Sequence, residues 1–112
     1  MRRIHGVVVF PADAPATTAL LIVELRDVSY ADDSASLVAS TQITAATVRP
    51  HGRCPFEFEA PEMPMAASLS LRCHIDLSGD GTVMAGDLLS TQSLPIPTAG
   101  DAGPLVVPVV VI

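Results

Sequence analysis

The stretch that decides the fold is residues 54–60, Cys-Pro-Phe-Glu-Phe-Glu-Ala, where bulky apolar and acidic side chains alternate. This period of two is typical of a β-strand with one buried and one solvated face. Residues 69–76, Leu-Ser-Leu-Arg-Cys-His-Ile-Asp, repeat the pattern. They predict an inner face of Leu69, Leu71, Cys73 and Ile75 and an outer face of Ser70, Arg72, His74 and Asp76.

Alternating or β-branched segments also occur on both sides of these two stretches, separated by turns rich in Gly and Pro. Seven strands are predicted, at residues 3–10, 17–28, 37–44, 54–60, 67–77, 88–96 and 105–112. The 7 glycines and 10 prolines fall mainly between these segments. Because Pro108 has no backbone N–H, the last strand is expected to have a free edge near it. The sequence therefore predicts an all-β fold: one domain over residues 1–112, an antiparallel two-sheet sandwich of about seven strands, immunoglobulin- or transthyretin-like.

The same alternation predicts which side chains fill the core. In the third strand, Leu37, Ala39, Thr41 and Ile43 are expected to share one face. The residues expected to be buried are Val8, Phe10, Leu21, Val23, Phe56, Phe58, Leu71 and Ile75.

Composition excludes several classes of function. The 112 residues carry a net charge of −6 with no lysine, which argues against binding nucleic acid. No apolar run approaches the roughly 20 residues of a membrane-spanning helix. No signal peptide or lipidation cysteine is apparent near the start, so the chain as written is expected to be cytoplasmic.

Catalytic motifs are not apparent in the sequence, and we expect no enzymatic activity. No G-x-S-x-G nucleophile motif or phosphate-binding loop occurs. Glu57 and Glu59 share one strand face, and the remaining alternative is a hydrolase that uses this acidic face. Such pairs are usually just a solvated surface.

The most specific local motif is residues 76–87, Asp-Leu-Ser-Gly-Asp-Gly-Thr-Val-Met-Ala-Gly-Asp. Calcium loops of the EF-hand type place oxygen ligands at positions 1, 3, 5, 7, 9 and 12 and Gly at position 6. Met84 at position 9 and Asp in place of Glu at position 12 depart from this pattern. The alternatives are a weak calcium site, similar to the loops of dockerin-like modules, and a connection that uses Asp and Gly only for turn geometry. The predicted metal ligands are Asp76, Ser78, Asp80, Thr82 and Asp87.

The two cysteines lie on strands that are adjacent in sequence. If residues 54–60 and 67–77 form a hairpin centred near Pro64, Cys54 and Cys73 face each other. They then form a disulfide in an oxidising compartment and remain buried thiols in a reducing one, and we favour the thiols because no signal peptide is apparent.

Across most of its length the chain resembles the YbaY-type lipoprotein family, which also includes pilotin-like secretion chaperones. The most specific element is Leu-x-Asp-Val-Ser-x-Ala-Asp at residues 25–32. Gly6, residues 16–24, 37–42 and 55–58, the strand at 69–75 and the Val-rich end also carry the resemblance. It implies a small β-sandwich of the cell envelope without enzymatic activity. It further implies a protein partner, bound through an edge strand or an apolar groove.

Overall fold

The computed structural model describes residues 1–29 and 36–112. Within these ranges the chain is all-β and forms no helix. The end of the 25–32 element, residues 30–32, therefore lies outside the described residues. Nine strands are present in the described ranges: β1 Arg2–Val9, β2 Thr17–Asp27, β3 Ser36–Val48, β4 Arg53–Ala60, β5 Leu69–Asp76, β6 Leu88–Leu89, β7 Leu94–Ile96, β8 Ala102–Pro108 and β9 Val110–Val111. No described segment provides a helix of the length and hydropathy needed to cross a membrane.

The strands form two sheets that pack face to face, so the predicted sandwich is confirmed. The smaller sheet has the order β4-β1-β8. The larger has the order β3-β2-β5-β6-β9, and β7 also pairs with β5. Most pairings are antiparallel, but β1 and β8 are parallel, which the sequence did not predict.

The predicted core is confirmed, because its eight residues are all buried. Leu21, Val23 and Ile75, from the larger sheet, are fully inaccessible, as are Ile4 and Val8 from the smaller one. At about 25 cal/mol per Å² of apolar surface, such burial is the main favourable term in folding.

Two predicted strands are each divided in two. The segment 88–96 becomes β6 and β7, which pair with opposite ends of β5. The segment 105–112 becomes β8 beside β1 and β9 beside β6, so the chain changes sheet at buried Val109. The prediction of a free edge near Pro108 is confirmed, since β8 is the outer strand of its sheet.

The parallel contact between β1 and β8 depends on a glycine. A Cβ at Gly6 would overlap the carbonyl oxygen of Leu105 and lie 2.7 Å from its carbonyl carbon. Gly6 pairs with Leu105 next to a register shift, where β8 contains one additional residue. Only glycine allows the two backbones to approach this closely.

The predicted hairpin of the fourth and fifth strands is wrong. β4 pairs with β1, and β5 pairs with β2, so consecutive strands belong to different sheets. Cys54 lies opposite Val8, and Cys73 lies opposite Val23. The alternation is the same in either arrangement, because both strands need one apolar face for the core between the sheets.

Candidate functional site

The loop after β5 is organised by the carboxylate of Asp76, which is 1% exposed. It accepts hydrogen bonds from the backbone N–H of Gly79 (2.9 Å) and Gly81 (2.6 Å) and from the hydroxyl of Ser78 (3.1 Å). Burial alone would raise the pKa of Asp76, but these hydrogen bonds and nearby His74 outweigh it and lower the pKa. The first turn of the loop thus closes on an ionised carboxylate.

Asp87 closes the other end of the loop and is also buried. Its carboxylate accepts hydrogen bonds from the backbone N–H of Leu77 (3.0 Å) and Met84 (3.1 Å). Its Oδ2 also lies 2.9 Å from Nε2 of His74. Burial favours a raised pKa for Asp87, but the hydrogen bonds outweigh it and the pKa is lowered. Both ends of the loop therefore hold buried carboxylates.

The prediction that His74 and Asp76 face solvent is wrong. His74 is 5% exposed, because residues 77–87 fold back over this end of β5 and bring Asp87 onto its ring. A ring nitrogen of His74 and one carboxylate oxygen each of Asp76 and Asp87, all of them possible metal ligands, lie within 4.8 Å of one another. The sequence did not predict that His74 lies beside the two carboxylates, because alternation along β5 assigns it to the outer face with Arg72, which is half-buried.

The structure separates the predicted calcium ligands into two sets. Asp76 and Asp87 converge, and the exposed Ser78 donates its hydroxyl to Asp76, whereas exposed Asp80 and Thr82 contact each other. Asp80 accepts a hydrogen bond from the backbone N–H of Thr82 at 3.0 Å, a local turn contact. Calcium binding through Asp76, Ser78, Asp80, Thr82 and Asp87 stays a prediction.

Both cysteines are buried free thiols on facing sheets. Burial raises the pKa of Cys54, and burial together with the neighbouring Cys54 raises the pKa of Cys73 to about 12. Thiols that remain protonated at neutral pH are poor nucleophiles and poor metal ligands. The two cysteines therefore act as small apolar core residues.

The acidic face of β4 is an exposed ion-pair surface. Glu57 pairs with Arg3 of β1, and both side chains are more than half exposed. Glu59 is also exposed. Nothing in this arrangement supports the hydrolase alternative.

A cavity of about 380 Å³ lies on the outer face of the larger sheet, lined by Arg26, Val28, Ser70 and Arg72. Glu24 pairs with Arg26 (2.9 Å) and lies 3.6 Å from Arg72. Three of the four lining residues are thus polar or charged, and Val28 is the apolar one. The apolar groove that the sequence resemblance implied stays a prediction.

The outer strand β3 has the features of a docking edge. Its 13 residues, Ser-Leu-Val-Ala-Ser-Thr-Gln-Ile-Thr-Ala-Ala-Thr-Val, include no proline and no charged side chain. It pairs with β2 on one side and is the outer strand of its sheet. Protein sheets usually protect such an edge with charge, proline or a short strand.

The other outer strands in the described residues carry such protection. β4 contains Pro55, Glu57 and Glu59, and β8 contains Pro104 and Pro108. β9 has only two residues, and the three residues of β7 include Pro95. β3 differs from all of these.

The inner face of β3 is only partly covered. Ala39, Thr41 and Ile43 lie opposite Leu25, Val23 and Leu21 of β2, yet they are half-buried whereas their β2 partners are fully buried. β3 therefore combines an unpaired backbone edge with incompletely buried apolar side chains.

One residue of the predicted inner row is displaced by a register shift. Leu37 lies opposite Arg26 and is 53% exposed, instead of sharing the face of Ala39. The shift inserts Val38 into β3 between these pairs. A bulge of this kind changes the face of every residue beyond it.

Comparison with solved structures gives one related fold. It is an alternative pilotin from the type II secretion system of Vibrio cholerae. The superposition has a TM-score of 0.67 at 19% sequence identity and covers 97% of this chain and 96% of that one. At this identity the likeness shows the fold alone. No protein-family model and no curated protein matches the sequence significantly.

Proposed function

We propose that this chain is a non-enzymatic β-sandwich binding domain that docks an extended segment of a protein partner against β3. The observation that carries the proposal is the β3 edge, which is long, uncharged and free of proline, whereas the other outer strands are protected. An added strand gains main-chain hydrogen bonds along the edge and side-chain contacts from alternate residues.

The pilotin fold supports a more specific form of this proposal. The structural neighbour is a pilotin of type II secretion, and its fold matches over nearly the whole of both chains. We therefore propose a chaperone-like role in secretion or in the cell envelope, with a secretion-system protein as the partner. The YbaY-type resemblance of the sequence points to the same class.

The half-buried side chains on the inner face of β3 indicate what kind of segment can bind at this edge. Ala39, Thr41 and Ile43 offer small or β-branched side chains, and the strand carries no charge. The segment that fits this edge is extended and has an apolar or β-branched residue at every second position on its inner face. A charged residue at those positions would be partly desolvated without a partner, which is costly.

Selection of binders from a displayed library of random 12-residue peptides tests the proposal. We expect the selected peptides to show an alternating apolar pattern. Their affinity should fall at least about tenfold in Gln42→Lys, because lysine at an exposed edge position opposes strand addition. Gln92→Lys is the matched control, since Gln92 is an exposed glutamine outside β3. Equal binding by both variants would contradict docking at β3.

The calcium prediction for residues 76–87 is independent of this function. The convergence of Asp76 and Asp87 beside His74 is the feature that favours it. The loop lies at β5, β6 and β9, whereas β3 is at the opposite side of the sheet order. Calcium would stabilise the domain without contributing to the docking edge.

A further inference from the structure

The register shifts of β3 leave a short regular segment with a self-complementary arrangement. Between the shifts, residues 39–43 pair with β2 in an unbroken register, and Thr41 is at the centre. In an antiparallel pairing of two such segments about Thr41, Ala39 faces Ile43 and Ser40 faces Gln42. The two Thr41 residues then lie opposite each other on a two-fold axis.

We propose that β3 of a second copy of this chain occupies the edge and forms a symmetric, antiparallel dimer through residues 39–43. The two larger sheets then join into one continuous sheet. The edge proposed to bind a partner strand is thereby covered in the absence of that partner, and dimer formation competes with docking.

Charge favours a second copy as the occupant. A net charge of −6 generally opposes self-association, because like charges repel. β3 contributes none of this charge, so its self-pairing places no charged residues opposite each other. Glu24, which lies opposite Ser40 on β2, is neutralised by Arg26.

Side-chain contacts also fit the symmetric register. Ala39, Thr41 and Ile43 are half-buried on the inner face, and the second copy brings the same three side chains against them. Thr–Thr pairs, such as the two Thr41 residues on the axis, are favourable across antiparallel strands. Ser40 and Gln42 form the outer row, where both are exposed and able to hydrogen-bond.

The interface is small, so the dimer is expected to be weak. Five residues on each side bury less than the roughly 1,200 Å² of a stable complex. The bulges on both sides of the segment turn the flanking backbone and limit the pairing to it. A weak dimer suits an edge that must be released to a partner.

Sedimentation velocity over a wide concentration range tests whether the dimer forms. Two double variants at positions 40 and 42 test the proposed pairing, because their charges face each other only in this register. In the double variant Ser40→Lys with Gln42→Lys, the lysine at position 40 of each copy faces the lysine at position 42 of the other copy. We expect this variant to weaken dimerisation at least about tenfold, since like charges directly opposite each other are destabilising. Ser40→Lys with Gln42→Glu places opposite charges there instead and should restore or exceed wild-type association.

A matched control separates this effect from net charge. Thr91→Lys with Gln92→Lys makes the same change in net charge at exposed positions outside β3 and should dimerise like the wild type. Circular dichroism checks that each variant is folded. A wild-type chain that stays monomeric at all concentrations would overturn the proposal, as would equal association by the two charge designs. Selected peptides that bind at β3 of such a monomer would leave the proposed function in place.

Discussion

Replacement of Asp87 by alanine tests whether the buried carboxylate holds the loop of residues 77–87 on the sandwich. The change removes the acceptor of three donors, namely His74 Nε2 and the backbone N–H groups of Leu77 and Met84. Removing the carboxylate leaves the buried donor of His74 without an acceptor, and hydrogen bonds to a charged group contribute about 1.5–3 kcal/mol. The backbone groups of Leu77 and Met84 can regain water, because both residues are exposed at the surface. We therefore expect Asp87→Ala to lower the free energy of unfolding by about 2–3 kcal/mol.

Urea unfolding measures this loss, through a fall in the midpoint at an unchanged slope. Asp80→Ala is the matched control. Asp80 lies in the same loop but is exposed and accepts one hydrogen bond, so its loss should be within about 0.5 kcal/mol. If both variants lost the same small amount of stability, the assignment of Asp87 as the residue that fixes the loop would be refuted.

The pH dependence gives the same prediction an independent check. The pKa of Asp87 is lowered in the folded chain despite its burial, so the ionised carboxylate stabilises the fold. That stabilisation is fully present above the unfolded pKa of about 3.9 and is lost as pH falls through the lower folded value. Asp76, whose pKa is also lowered, contributes in the same direction. Asp87→Asn should therefore weaken the loss of stability below about pH 4.

Four further predictions concern the core and the loop. Gly6→Ala should destabilise the fold by about 1–3 kcal/mol in urea unfolding, because the new methyl group overlaps the backbone of Leu105; a neutral result would contradict the close approach of β1 and β8. Phe58→Ala should cost about 3–5 kcal/mol in the same assay through the cavity that it leaves, and a loss below 1 kcal/mol would place Phe58 outside the core. If the calcium prediction holds, calcium at a hundred times its Kd should stabilise the chain by about 2.7 kcal/mol, and Asp80→Ala should abolish this gain. A melting temperature that does not change in millimolar calcium would contradict calcium binding and favour the alternative, in which Asp and Gly serve only turn geometry. Cys73 should react with a thiol reagent at neutral pH only as fast as the chain unfolds, because its side chain is fully buried and its pKa is raised to about 12. Rapid labelling of the folded chain would contradict this.

Local alternation was sufficient to predict the fold class and the core. Phe56 and Phe58, or Leu71 and Ile75, point inward because a period of two is a property of the strand itself. These residues are buried whichever strand lies next to them. The sequence therefore correctly predicted the burial of the inward apolar rows of β4 and β5, although not that of His74 and Asp76.

The pairing of strands could not be predicted in the same way. The pattern around Cys54 and Cys73 fits a hairpin as well as two strands on facing sheets, since both arrangements bury the same side chains. Likewise, nothing local shows that the chain changes sheet at Val109, which is buried like its neighbour Val107. Such choices depend on contacts between distant segments.

The buried polar group was missed for a related reason. His74 follows the outward alternation of Arg72, and it becomes buried only because Asp87, 13 residues later, folds onto its ring. The sequence identified Asp76 and Asp87 as a related pair through their loop spacing. It did not identify His74 as their neighbour, because that contact depends on the path of the loop.

Amide hydrogen exchange tests the docking edge most directly. In the free monomer at low concentration, those amides of β3 that point away from β2 lack a strand partner and should exchange quickly. Addition of a selected peptide should slow exchange at these positions, with the largest effect in residues 39–43, and leave the outer strands β4 and β8 unchanged. Protection that appears at β4, at β8 or around Arg26 and Arg72, with β3 unaffected, would contradict the account.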